Sequence, residues 1–100
     1  MIVRIWDGCV KAMDAPEYLR LMREIALPNY RRVEGNQGAW CLHRREDDLV
    51  HVRMVSHWAN LDAIRSFAGE DYNRALFYDF DKGFLLEFPK TVVHWELEHA

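Results

Sequence analysis

Hydrophobic positions change period in the middle of this chain. Val50, Val52 and Met54 alternate with His51, Arg53 and Val55, the two-residue period of a strand over Leu49–Trp58. From Leu61 the spacing becomes helical: Leu61, Ile64 and Phe67 fall on one face, with Ala68 beside them. Asn60 stands where its side-chain oxygen can accept from the free N–H groups of the first turn. Gly69 follows as a residue that takes positive φ and closes the helix. A strand followed at once by a helix implies a sheet with at least one helix packed on it.

The rest of the chain repeats these two patterns. Ile2 to Val10 reads as a first strand, with Val3 and Ile5 alternating with Arg4 and Trp6. Asp14 is expected to cap a helix, with Glu17 three residues on as in a capping box and Pro16 in the first turn. Tyr18, Met22 and Ile25 form its apolar stripe, widened by Leu19 and Ala26, while Arg20, Arg23 and Glu24 face elsewhere. Pro28 disfavours helical geometry at Leu27, so a kink or restart is expected there, with one more turn through Tyr30 and Val33 before Gly35.

Gly38 to Arg45 reads as the second strand, joined to the third by Glu46-Asp47-Asp48, a link short enough only for an antiparallel hairpin. With all three linker residues in the loop, Arg45 faces Leu49 and His43 faces His51. That register puts Trp40, Leu42, Val50, Val52 and Met54 on one face, and Cys41, His43, Arg45, His51, Arg53 and His57 on the other. A slip of one residue mixes the two sets. Further on, Asp71 is expected to cap a short helix, Tyr72 to Leu76. Phe77 to Phe84 is aromatic without a period and reads as an irregular cover, ended by Pro89. Thr91 to Glu98 reads as the last strand, with Val93, Trp95 and Leu97 pointing one way and His94, Glu96 and Glu98 the other.

The order βαββαβ predicts an α+β fold. Right-handed crossovers make it a ferredoxin-like, antiparallel four-stranded sheet with both helices on one face. The other face then lacks cover from its own chain. A chain this short buries only part of its surface, so a second copy is the natural cover.

Composition narrows the function classes. One hundred residues, half of them apolar and 13% aromatic, make one domain spanning 1–100 with enough material for a core. A net charge of −3 gives no footprint for nucleic acid. No apolar run approaches the ~20 residues of a membrane helix, and the start of the chain lacks the pattern of a signal peptide, so a cytoplasmic location is expected. Cys9 and Cys41 are too few for a disulfide framework and read as buried, inert thiols. No Cys-x-x-Cys, Gly-x-Ser-x-Gly, phosphate-binding glycine loop or His-Glu-x-x-His is present.

Several side chains carry candidate chemistry. His43, His51, Arg53 and His57 make one strand face polar, but His51 and His57 lie about 20 Å apart along a strand, so no metal site is assigned. Arg4 and Trp6 share a face of the first strand, where charge and stacking can hold an anionic or aromatic ligand; the alternative is a dimer contact with Arg4 paired to Glu96 or Glu98. Trp58, Tyr72 and Tyr78, with Phe77 and Phe80, can line an aromatic cavity between helices and sheet or simply fill core. His94, on the last strand, has the ordinary range of an acid or base near neutral pH, or serves as a hydrogen-bonded structural histidine.

The run Leu61-Asp62-Ala63-Ile64-Arg65-Ser66-Phe67-Ala68-Gly69 after a strand and Trp58 resembles the antibiotic-biosynthesis monooxygenase-like family of dimeric α/β barrels. The opening Met1-Ile2-Val3-Arg4-Ile5-Trp6-Asp7-Gly8 and the later Phe84-Leu85-Leu86-Glu87 are similar to the same family. The resemblance implies a homodimer whose two sheets face each other as a barrel, with a cavity inside each subunit. Some members oxidise polycyclic phenols to quinones with O₂ and neither metal nor flavin, using an Asn, Trp, Tyr and Arg. Others degrade haem with an Asn on the first strand and a Trp and His on the second helix. Here Trp6 or Asp7 stands at the Asn position, Phe67 near the Trp, and Tyr72 to Tyr78 contains no His.

These readings converge on a small monooxygenase, independent of cofactors, that acts on a phenol- or quinol-type molecule. Arg4 is the expected stabiliser of a phenolate and His94 the expected base, with Trp6, Trp58, Tyr72 and Tyr78 as ligand contacts. The expected partners are a second copy of the chain and a small aromatic molecule, with no nucleic acid and no membrane. The alternative is a dimeric module that binds a small molecule without catalysis.

Overall fold

The computed structural model describes residues 1–98. Strands β1 (Ile2–Lys11), β2 (Asn36–Glu46), β3 (Leu49–Trp58) and β4 (Val93–Glu96) form one sheet in the order β2-β3-β1-β4, antiparallel throughout. Between β1 and β2 lie α1 (Ala15–Leu21), a wider π-type turn (Met22–Ala26) and α2 (Leu27–Arg31). After β3 comes α3 (Leu61–Ala68). This is the expected α+β architecture, with a four-stranded antiparallel sheet and the helices packed on one of its faces.

Strand parity decides which side chains meet those helices. In the observed register Arg4, Trp6, Gly8 and Val10 pair with Ser56, Met54, Val52 and Val50, and all eight are buried. Tyr18, Met22, Ala26 and Tyr30 close over them from the first helical segment. These four are spaced four residues apart, not three and four alternately, because the π turn adds a residue to the helical circuit. The turn ends two residues before Pro28, which has no N–H to give and whose ring crowds the carbonyl four residues back, inside the turn. The backbone thus stays helical through Leu27, and Ile25, expected in the stripe, faces outward at 45% exposure.

The N-terminal cap differs from expectation. A 3₁₀ turn (Ala12–Asp14) precedes α1, and Asp14 is itself in a helical conformation with no side-chain cap bond. Glu17 instead pairs with Arg20 on the solvent side. The start of α3 is as expected: Asn60 Oδ1 accepts from the Ala63 N–H at 2.9 Å, and Gly69 ends the helix at φ 89°.

The β2–β3 hairpin register is one residue away from the expected one. Glu46 faces Leu49, so the loop is only Asp47-Asp48, and Asp47 takes the left-handed conformation (φ 52°) that aspartate tolerates. His43 therefore faces Val52 and Arg44 faces His51, which puts His43 and His51 on opposite sheet faces. Cys41, His43 and Arg45 move to the helix side, and Trp40 and Leu42 to the open side.

The segment from Glu70 to Val92 is extended or irregular, apart from a 3₁₀ turn at Asp79–Gly83. The expected helix at Tyr72–Leu76 does not form. Its backbone bonds go across the segment instead: the Ala75 N–H to Lys90 O and the Val92 N–H to Asn73 O, both at 2.9 Å. The last strand is correspondingly shorter than expected. The Leu86 N–H bonds Cys9 O at 3.0 Å, seating the end of this cover against β1.

The open sheet face is apolar. Trp40, Leu42, Val93 and Trp95 are exposed on it, Trp95 at 61%, and Val3, Ile5 and Val55 lie half-buried between them. Asp7 and Arg53, paired at 2.7 Å, interrupt the patch. Two shallow depressions of about 440 and 330 Å³ meet on it at Asp7, Gly8 and His51. No helix among the described residues is long and apolar enough to cross a membrane.

Candidate functional site

Three clusters of polar and aromatic side chains lie on the helix side of the sheet. The first is built around Trp6. Its ring lies along β1 over residue 8, where a Cβ would come within 2.6 Å of Trp6 Cη2, so only glycine admits it. Phe77 meets the ring edge-on at 6.3 Å. The indole N–H is buried and has no hydrogen-bond partner. A buried donor left unpaired costs about 1–3 kcal/mol, so it calls for an explanation.

That ring walls a small, partly open cavity of about 10 Å³, space for the centre of one water-sized group. Tyr30, Met54, Leu76, Tyr78 and Asp81 complete the part of the wall that bears on chemistry. Tyr78 stacks on Phe80 at 5.4 Å, and its hydroxyl accepts from Asn29 Nδ2 at 2.8 Å. Burial pushes the Tyr30 and Tyr78 hydroxyls above the usual phenol range, so both stay protonated near neutral pH.

Asp81 is the charged group of this wall and is 1% exposed. Oδ1 accepts from the Tyr18 hydroxyl and Oδ2 from the Tyr78 backbone N–H, both at 2.7 Å. Among the described residues no cation forms an ion pair with it. Burial therefore raises its pKa, and the two donated bonds only partly offset the rise. Nothing in the composition or periodicity singled out Asp81. The available signal was a carboxylate inside the aromatic run Phe77–Phe84, where an unpaired acid is out of place unless it is bonded or used.

The second cluster joins Arg4, His94 and Tyr72. Arg4 is 2% exposed, and its guanidinium donates to Tyr72 O at 2.6 Å and Arg74 O at 3.1 Å. Its Nη1 also lies 3.2 Å from His94 Nε2, and its Nε is buried without a partner. Because arginine can only donate, His94 Nε2 must be the acceptor and the imidazole neutral, with the Nδ1 proton directed at Asn73 Oδ1 at 3.2 Å. Burial, then the Arg4 charge, hold the His94 pKa below its usual value. Arg4 is thus not paired to Glu96 or Glu98. Phe67 lies under the guanidinium at 5.6 Å, and the Tyr72 ring contacts His94. Arg4 also sits close enough to Tyr30 to act on its hydroxyl electrostatically.

The third cluster holds Trp58, fully buried, with its indole N–H donated to Ser56 Oγ at 2.9 Å and its ring against Phe67. Of the six expected site residues, the structure places Trp6 and Tyr78 on the cavity wall. Arg4, His94 and Tyr72 meet beside β4, and Trp58 packs with Ala63 and Ile64 off the cavity wall, touching that second cluster through Phe67 and Tyr72. Tyr30 and Asp81 join the cavity unforeseen, with Tyr18 and Asn29 behind them. Cys9 and Cys41 are both free and half-buried, on opposite faces of the sheet. Set against known families and curated proteins, the chain matches no family model and no curated protein.

Proposed function

We propose that this protein is a small dimeric enzyme of the antibiotic-biosynthesis monooxygenase-like type that oxidises a phenolic aromatic molecule with O₂ and no bound cofactor. One observation carries the reading: the cavity between helices and sheet is walled by aromatic rings, and a buried indole N–H without a partner and a buried carboxylate without a cation share that wall. Apolar walls with a few convergent polar groups are the usual form of a small-molecule site. The cavity lies under the irregular Glu70–Val92 cover, the segment type from which lids are drawn. Leu76, 36% exposed, is the wall residue nearest solvent on that cover, and Phe77 beside it is equally exposed.

The chemistry asks little of the protein. A deprotonated phenol can give electrons to O₂, and conversion of a phenol to a quinone uses one O₂, placing one oxygen atom in the product and releasing the other as water. The substrate supplies all four electrons. The protein provides a base, a positive field and a dry pocket. Arg4, off the cavity wall, supplies the field through its charge, which acts on the Tyr30 hydroxyl. The expected base role of His94 would need the Nε2 lone pair that faces Arg4, so in this reading His94 orients Arg4.

The open sheet face supports the dimer. Trp40, Leu42, Val93 and Trp95 form a patch that a second copy would cover, and an obligate interface of this kind buries on the order of 2,000 Å² or more. Free Cys9 and Cys41 fit a reducing, cytoplasmic compartment. An aromatic ring enters this cavity only if the cover moves; a second reading, a dimeric binding module, needs room for the ring alone and not for O₂ beside it. Incubating metal-free protein with a panel of polycyclic phenols and following O₂ uptake tests both. Uptake matched to quinone formation supports the enzyme, and binding without uptake supports the module. If nothing binds and nothing reacts, both readings fail.

A further inference from the structure

We infer that Asp81 is the proton acceptor of this cavity and Trp6 the donor that holds the ligand's oxygen, so that the site takes a neutral molecule with a hydroxyl on an aromatic ring. The inference rests on the cavity reading above and names its substrate class and its base. Each Asp81 oxygen has received one hydrogen bond, from Tyr18 or from the Tyr78 backbone, and a carboxylate oxygen can accept a second. The Trp6 indole can only donate and has nothing to donate to. Trp6 and Asp81 both line a cavity with room for one oxygen-sized group, and a hydroxyl, which gives one bond and receives another, suits that pair in place of the single water the space would otherwise admit.

The charge balance favours a phenol over a carboxylic acid. A carboxylate ligand would set a second negative charge beside an Asp81 that has no cation. A phenol arrives neutral. When its O–H bond breaks, the proton passes to Asp81 and the electron pair stays on the phenolate oxygen. The site's charge is −1 before and after, and the Trp6 N–H donates to the oxygen that becomes charged. Tyr18 is the positioning residue that holds Oδ1 in place. Asp81 also caps the Asp79–Gly83 turn, but capping uses only the Tyr78 bond and leaves the Trp6 indole unexplained. The aromatic ring would follow its hydroxyl through the Leu76–Tyr78 edge of the cover.

The probe for the test is 4-nitrophenol, whose visible absorbance separates phenol from phenolate. Wild-type protein should bind it and show the phenolate band at a pH where the free probe is still protonated. Asp81→Asn keeps the fold bonds: its oxygen can accept from Tyr78 and its amide can donate to the Tyr18 oxygen. In that variant the bound probe should stay protonated. Trp6→Phe keeps a ring over Gly8 and should weaken binding about tenfold or more, the effect of losing a bond to a charged group. If the probe binds but ionises alike in wild type and Asp81→Asn, Asp81 is not the base, while the cavity reading stands. Unchanged affinity in Trp6→Phe removes Trp6 from the site. Absence of binding to the wild type by this probe and by the polycyclic phenols overturns the inference together with the reading beneath it. Should Asp81→Asn not fold, the wild-type band and the Trp6→Phe affinity decide the matter alone.

Discussion

The Tyr18 hydroxyl donates to Asp81 Oδ1 at 2.7 Å, joining α1 to a turn sixty-three residues later with both groups buried. Tyr18→Phe deletes the donor and leaves the rings of Phe80 and Phe84 in place around it. Loss of a hydrogen bond to a charged group should cost about 1.5–3 kcal/mol, read from urea denaturation. The cost should depend on pH. Burial raises the Asp81 pKa above its unfolded value of 3.8, so the protonated form favours the folded state. That contribution is complete below pH 3.8 and is lost as pH rises through the folded pKa. Without Tyr18 the folded pKa rises further, so the variant should lose more stability at pH 7 than at pH 4. An equal loss at both would mean that Asp81 does not titrate as its burial requires.

His94 should give the opposite slope. Its folded pKa lies below the unfolded 6.5, because burial and Arg4 disfavour the charged ring. The stabilising contribution of the neutral ring is complete above pH 6.5 and is lost as pH falls through the folded pKa. His94→Gln keeps an oxygen for Arg4 and removes the titration. Between pH 6.5 and the folded pKa, the stability of wild type should rise with pH more steeply than that of the variant, by up to about 1.4 kcal/mol per pH unit. Parallel curves would show that His94 is not held neutral by its burial and by Arg4.

Gly8→Ala tests the seating of Trp6. The added methyl would lie 2.6 Å from Cη2 and 2.9 Å from Cζ3, so the indole must tilt away from β1. Overpacking of this kind should cost about 1–3 kcal/mol by thermal or chemical denaturation, with a change in tryptophan emission. A variant as stable as wild type would mean that the ring does not lie over residue 8.

Trp95→Glu puts a charge on the β4 edge of the open apolar face without touching the core. Light scattering at micromolar concentration should give a dimer for wild type and a monomer for the variant. A wild-type monomer would sink the sheet-to-sheet dimer.

Where the structure departs from the expected pattern, the cause is physical. The expected register groups apolar residues with Val50, Val52 and Met54, as if only one face of the hairpin were apolar. The open face is itself apolar, so Trp40 and Leu42 belong to it, and segregation favoured a register one residue off. The two-residue Asp47-Asp48 loop was hidden because either acid fits a turn. On the first helix, the π turn before Pro28 replaces a 3.6-residue spacing by one of four, which sends Ile25 outward and keeps Ala26 in line with Tyr30. Local chemistry was easier: Asn60, Gly69 and the shared face of Arg4 and Trp6 were readable because cap geometry and strand parity act over a few residues. Asp81 was not, because its partner Tyr18 is far away in sequence and only the folded chain brings them together.

The most direct test of the cavity is nuclear magnetic resonance of the tryptophan indole N–H groups during titration with 2-naphthol. The chain has four tryptophans, each in a distinct place: Trp6 on the cavity wall, Trp58 bonded to Ser56, and Trp40 and Trp95 on the open face. The Trp6→Phe variant identifies the Trp6 signal. The expected result is a saturable shift of the Trp6 indole resonance, downfield as its N–H gains an acceptor, with Trp40 and Trp95 unmoved. A titration that shifts Trp40 or Trp95 and leaves Trp6 in place would put the ligand on the open face and contradict the assignment of the helix–sheet cavity.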